Sequence, residues 1–202
     1  MTELAATTTP DLRVGADGVT RCAWAAAPEY LAYHDDEWGR PVHGETALYE
    51  RITLEGFQSG LSWLTILRKR ESFRAAFHGF DAERVARFDS RDVDRLITDS
   101  AIVRNRRKID AAVTNARAVL GLRDQGGLDA AVWSHAPAAH RRPRQRADVP
   151  VSSPESVALT RSLRAAGFVF VGPTTMYAAM QACGLVDDHL AGCHRGAGVR
   201  SS

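Results

Sequence analysis

Gly167-Phe168-Val169-Phe170-Val171-Gly172-Pro173-Thr174-Thr175-Met176-Tyr177-Ala178-Ala179-Met180-Gln181-Ala182-Cys183-Gly184-Leu185-Val186-Asp187-Asp188-His189 reads as a helix end, a tight apolar turn, and a new helix. Gly167 suits the left-handed residue that closes a helix. Gly172 leaves the backbone bare, and Pro173 fits the first position of the next helix. Such a start offers unpaired N–H groups and partial positive charge, the chemistry that holds phosphate. Upstream, Ser153-Pro154-Glu155 supplies a cap, a Pro and a first-turn acid, so a helix over 157–166 feeds the turn.

Working outward, the same helical format recurs. Leu48, Ile52, Phe57 and Leu61 repeat at helical spacing over 44–61, and a second helix is expected over 60–67, ending in Arg68-Lys69-Arg70. Further helices are expected over 72–80, over 81–88 behind an Asp81 cap, over 89–97, and over 100–122. Strand alternation is nearly absent, since Phe168–Val171 is too short to build a sheet. The expected fold is all-α, many short helices in one domain. Residues 1–20 lack periodicity and read as a mobile tail; 21–195 form the helical domain; 196–202 read as a frayed end.

Composition narrows the function. The chain has 202 residues, 45% of them hydrophobic, and a net charge of +2, so any polyanion must be met by local clusters of its 26 Lys and Arg. One cluster is Arg104 to Lys108, either a solvated face or the seat of a partner anion. No apolar run approaches the roughly 20 residues of a membrane span, and the N-terminus lacks a signal-peptide pattern. Three cysteines without a framework point to reduced thiols in a cytoplasm. Nothing suggests an obligate oligomer, so a monomer is expected.

Two constellations carry chemistry. Trp24, Tyr30, Tyr33 and Trp38 crowd a turn-rich span that either packs on the core or lines an aromatic pocket. Glu55, beside Phe57, sits on or next to an apolar helix face, where a carboxylate is either capped and structural or at work. Cys22, His34, His189 and Cys193 have the donor types of a closed tetrahedral zinc site, the last pair spaced to share a helix face. The spacing alone is a weak signal, and the same residues also read as buried thiols and surface imidazoles. Cys183, on an apolar helix, reads as an inert core thiol.

Arg21-Cys22-Ala23-Trp24, Tyr33-His34-Asp35-Asp36-Glu37-Trp38-Gly39, Leu54-Glu55-Gly56-Phe57-Gln58-Ser59-Gly60-Leu61-Ser62-Trp63, and Gly167 to His189 with Gly192-Cys193 together resemble the DNA-3-methyladenine glycosylase I family. The likeness runs from about Arg21 to Cys193. It implies a helix-hairpin-helix glycosylase fold and monofunctional hydrolysis of 3-methyladenine from alkylated double-stranded DNA. It implies a structural zinc on Cys22, His34, His189 and Cys193, linking the N- and C-terminal segments. It places Glu55 in a base pocket with Trp24, Tyr30, Tyr33, Trp38 and Trp63 as aromatic candidates. Phe168, Val169, Phe170, Val171, Gly172 and Thr174 become the expected DNA-backbone contacts, supported by Arg161 and Arg164. Asp187 stands where the wider superfamily keeps a catalytic acid; it either stabilises a sugar cation, or caps a turn and orients a zinc ligand.

Overall fold

The computed structural model describes residues 11–197. Among them are two short strands, β1 (Leu12–Val14) and β2 (Thr20–Cys22), and nine α-helices. The helices are α1 (Pro28–Asp36), α2 (Glu45–Gln58), α3 (Trp63–Ala76), α4 (Ala82–Ala86), α5 (Ser90–Thr98), α6 (Arg106–Leu122), α7 (Gly127–Trp133), α8 (Pro154–Ala165) and α9 (Pro173–Ala182). None of the described helices is long and apolar enough to cross a membrane.

Helix α2 is the centre. Leu48, Tyr49, Glu50, Ile52, Thr53, Leu54, Glu55 and Phe57 are all buried, so the helix is covered on every side rather than along one stripe. Helices α3, α6, α7 and α9 pack around it. Phe57, Phe73, Phe77, Phe80 and Phe88 form a continuous aromatic seam, beginning with Phe57 and Phe73 at 4.7 Å between ring centroids. The Tyr49 hydroxyl donates to the Ala112 carbonyl at 2.8 Å, which satisfies a buried polar atom and ties α2 to α6.

Several expected boundaries move. Leu61 lies beyond the end of α2 and is exposed. The expected helices over 60–67 and 72–80 are one helix, α3, opened by Ser62, whose side chain accepts from the Thr65 N–H. Arg68 and Arg70 therefore do not end a helix. They sit within α3 and pair with Glu29 of α1 and with Glu37 just after it. The tail boundary at residue 21 also moves. Residues 12–14 pair antiparallel with 20–22 around an Asp17-Gly18 turn, Gly18 having φ +75°. Asp17 accepts from the Val19 N–H and pairs with Arg21. The Asp-Gly turn signal was present, but three-residue strands are too short to show alternation. Residues 1–10 and 198–202 lie outside the described residues, and His194–Ala197 form a 3-10 turn.

The α8–α9 junction is built as the glycines and proline suggest. Gly167 has φ +96°, and Gly172 caps α9 with Pro173 as its first residue. The loop is pinned from three directions. Asn115 of α6 both donates to and accepts from the Val169 backbone, at 3.1 and 2.8 Å. Arg164 donates to the Val171 carbonyl at 2.7 Å. Phe168 and Val171 turn into the core, whereas Val169 and Phe170 remain exposed.

Lys108 does not belong to a solvated basic face. It is buried, and its ammonium donates to the carbonyls of Phe57 and Ser59 at 2.8 and 2.5 Å, closing the C-terminal end of α2. Hydrogen bonds from a charged donor are worth more than neutral ones, and orphaned buried carbonyls are costly. Lys108→Ala is expected to lower unfolding free energy by on the order of 2–4 kcal/mol in urea denaturation. Lys108→Met, which keeps the packed stem, should lose less.

Candidate active site and metal centre

Four separate stretches meet at one cavity of about 450 Å³. Trp24 enters from the turn after β2, Tyr30 and Tyr33 from α1, and Trp38 from the turn after α1. Glu55 comes from α2, and Trp63 opens α3. The five aromatic candidates and the carboxylate thus line a single space. Trp24 stands edge-on to Tyr30 at 5.6 Å and to Trp38 at 5.0 Å, and Tyr33 tilts against Trp63 at 5.3 Å. The Tyr30 hydroxyl accepts from the Leu64 N–H, which fixes one wall to the start of α3. The buried Trp63 Nε1 has no hydrogen-bond partner, the kind of orphan that a bound ligand can satisfy.

Glu55 is 5% exposed. Burial pushes its carboxyl up to about 8, and the positive charge of Arg51 pulls the other way without cancelling it. Arg51 is itself engaged with Glu37 at 3.0 Å. A carboxyl held neutral by desolvation is poised to ionise when a cation arrives.

Five further residues complete the walls: Gln58, Ser62, Ala178, Gln181 and Arg146. Gln58 lies three residues after Glu55, so helical spacing alone could have singled it out. Gln181 on α9 and Arg146 on the long loop before α8 carry no local signal, because only tertiary packing brings them to the cavity.

Behind this cavity lies the thiol–imidazole cluster. Ligand atoms of Cys22, His34 and Cys193 all fall within 4.8 Å of one another, and all three residues are buried. That separation fits donors arranged around one small tetrahedral ion. Cys193 Sγ is 3.5 Å from His34 Nε2. The opposite nitrogen, Nδ1, bonds Asp35 Oδ1 at 2.7 Å, and Asp35 is braced by Arg21. An imidazole backed by a carboxylate is the usual way to orient a metal ligand. The Cys22 thiol is raised by its hydrogen bond with Cys193 and by burial, and the same bond holds Cys193 low.

His189 sits beside this trio rather than within it. Its ring meets that of His34 edge-on at 4.6 Å, its Nδ1 bonds Asp187 Oδ1 at 2.7 Å, and its Nε2 faces the His34 carbonyl at 3.1 Å. The expectation that His189 and Cys193 share a helix face does not hold. Both follow α9, in a stretch where the Cys193 N–H bonds the Leu190 carbonyl. Asp187 accepts from the His189 backbone and ring and pairs with Arg142, the arrangement of a residue that orients a histidine. Burial opposes its ionisation, but His189 and Arg142 together hold it below the usual carboxylate range. Cys183, the residue that closes α9, is a buried core thiol, as expected.

The two constellations touch. Trp24 packs edge-on against His34 at 5.2 Å, and Trp38 against His189 at 4.7 Å. Two walls of the cavity therefore rest on the imidazoles behind them.

The profile of the methyladenine glycosylase family matches residues 23–196. The chain is 47% identical over 179 residues to DNA-3-methyladenine glycosylase 1 of Escherichia coli strain K12, covering 86% of this chain and 95% of that protein. It is 45% identical to the DNA-3-methyladenine glycosylase of Haemophilus influenzae, covering 86% and 96%. A crystal structure of 3-methyladenine DNA glycosylase I matches with a TM-score of 0.83 at 46% identity, covering 86% of this chain and 98% of that one. The Staphylococcus aureus 3-methyladenine DNA glycosylase I, solved to explain 3-methyladenine recognition, matches with a TM-score of 0.84 at 34% identity, covering 89% and 98%. With agreement this close along nearly the full length of its relatives, the chain belongs to the methyladenine glycosylase family.

Proposed function

We propose that the chain is a monofunctional N-glycosylase that hydrolyses the glycosidic bond of 3-methyladenine in alkylated double-stranded DNA, acting as a monomer in the cytoplasm. The observation that carries this reading is the cavity that holds one desolvated carboxylate, Glu55, among five aromatic side chains. A base inside a duplex is out of reach, so the nucleotide must be flipped out. In DNA, 3-methyladenine is cationic. The electron-rich faces of Trp24, Tyr30, Tyr33, Trp38 and Trp63 attract a cation and do less for neutral adenine. Arrival of the cation favours the ionised form of Glu55, so binding and proton release are coupled. The ionised carboxylate then accepts from the adenine edge. Methylation already makes the base a good leaving group, so strong protonation is unnecessary and water completes the hydrolysis. A lyase step would need a free lysine nucleophile near the hairpin; α9 opens with Pro173-Thr174-Thr175, and Lys108, whose ammonium lies 5.9 Å from the Phe170 ring, is engaged with the Phe57 and Ser59 carbonyls.

The DNA backbone is held by the α8–α9 junction acting as a helix-hairpin-helix element. Backbone N–H groups of Phe170, Val171, Gly172 and Thr174 are offered to phosphate, whereas those of Phe168 and Val169 are spent on the Leu163 carbonyl and on Asn115; the Phe168 and Val171 side chains are buried. Val169 and Phe170 present apolar side chains at the same surface. Exposed Arg104, Arg107 and Arg161 add charge, while Arg106 is spent on Asp94 and Arg164 on the turn itself. We assign a structural zinc to Cys22, His34 and Cys193, with His189, which lies beside the trio, as its expected fourth donor. Such an ion would cross-link the two ends of the chain and leave no position open for water.

Glu55→Gln is the direct test. Release of free 3-methyladenine from methylated DNA is expected to fall by tenfold or more in kcat/KM, and full retention removes Glu55 from the mechanism. Because Glu55 must lose its proton, wild-type kcat/KM should rise with pH up to about 8 and level off above it, and the variant should lack that limb. Stability runs the other way. The folded state holds the Glu55 proton up to about 8, whereas the unfolded state releases it near 4.5. The folded state therefore binds more protons in that window, and wild-type stability falls as pH rises through it. Glu55→Gln should become progressively more stable than wild type between those limits in pH-dependent melting. For the ion, the purified protein should carry about one zinc per chain by mass spectrometry of metals, and Cys193→Ala should lose it along with thermal stability.

A further inference from the structure

Asp188 is 3% exposed and takes no part in the chemistry described above. Its carboxylate collects three donors. Oδ2 accepts from the Tyr177 hydroxyl at 2.8 Å and from the Gln181 amide nitrogen at 2.7 Å, and Oδ1 faces His140 Nε2 at 3.1 Å. An oxygen that already accepts the Tyr177 hydroxyl is met by the nitrogen of a Gln amide and not by its oxygen. Gln181 therefore has one orientation. Its Nε2 is committed to Asp188, and among the described residues nothing donates to its Oε1. The residue lines the same cavity as Glu55 and the aromatic walls. Its main chain is fixed as well, since its carbonyl accepts from the Gly39 N–H at 3.0 Å beside Trp38.

We propose that Gln181 is a specificity-determining residue that selects methylated adenine over methylated guanine, and that Asp188 is the positioning residue that sets it. This rests on the base-excision reading above. Adenine carries an exocyclic amine, a double donor, where guanine carries the O6 acceptor. With Nε2 held by Asp188, Oε1 is the Gln181 atom left to meet a base, and an acceptor there beside the Glu55 carboxylate would suit the amine. A methylated guanine would bring O6 against a fixed carbonyl oxygen, with Asp188 preventing the amide from turning over. Cation attraction by the aromatic walls cannot make this distinction, because both methylated bases are cationic. A polar group whose orientation is locked can, because the wrong base leaves it unpaired.

The experiment measures kcat/KM for release of 3-methyladenine and of 3-methylguanine from DNA treated with a methylating agent. Wild type, Gln181→Met and Asp188→Asn are compared, each shown to be folded by its circular dichroism melt. Gln181→Met keeps the side-chain volume and removes the acceptor; the adenine-to-guanine preference should fall roughly tenfold to hundredfold. In Asp188→Asn the neighbour can donate as well as accept, so Gln181 can turn its nitrogen to the cavity. The preference should then fall through a rise in methylguanine release, with Gln181 unchanged. A folded Gln181→Met protein whose preference stays within twofold of wild type overturns the proposal. So does an Asp188→Asn protein that loses both activities in equal proportion, which marks Asp188 as merely structural. If wild type releases neither base, it is the base-excision reading that fails.

Discussion

The structure depends on keeping one carboxyl group out of water. Glu55 sits on a helix wrapped on every side by other helices, and that wrapping denies it solvent. An isolated buried charge is costly, so burial favours the neutral form of the group. Everything that encloses α2 therefore serves the site as well as the core. The Phe57–Phe88 seam excludes water from one side, and Lys108 holds the end of the helix by its last carbonyls. The cost is a folded state that must tolerate a carboxyl where packing would prefer a methyl group. Instability of this kind is common where a site is pre-arranged for a ligand.

The cavity and the thiol–imidazole cluster form one construction. Trp24 and Trp38 face the aromatic cavity on one side and lean on His34 and His189 on the other. Each imidazole is backed in turn by a carboxylate, Asp35 or Asp187. The β1–β2 hairpin closes over this assembly, with Leu12 packed against Cys22, Leu190 and Cys193. Segments from the two ends of the chain thus hold the walls in register. Whatever tightens the cluster also steadies the walls, because closely packed rings pass on displacement with little give.

Much of this was legible in the residues. Helix caps were readable because the signal is local: Asp81, Asp89 and Ser153 each accept from backbone N–H groups of the turn that they open. Gly167 and Pro173 marked the α8–α9 junction for the same reason. The misreadings have physical causes too. Arg68 and Arg70 looked like a helix terminus because a basic run suits one, but their partners, Glu29 and Glu37, lie on or beside α1 and are distant in sequence. Lys108 was read with its basic neighbours, and only the packing of α6 on α2 turns it inward.

By itself, then, the sequence determined the helical character, the caps, the glycines of the α8–α9 junction, and the short list of aromatic, acidic, thiol and imidazole groups that gather at the cavity and the cluster behind it. These follow from backbone preference and side-chain type, which act within a turn or two of chain. Only the tertiary structure decided which groups meet. It drew Trp24, Tyr33, Trp38, Glu55 and Trp63 around one space. It added Gln181 and Arg146 from elements with no local sign of their role, and it set His189 beside the Cys22–His34–Cys193 trio rather than inside it. Burial and orientation arise from the packing of segments far apart in the chain, and no local pattern encodes them.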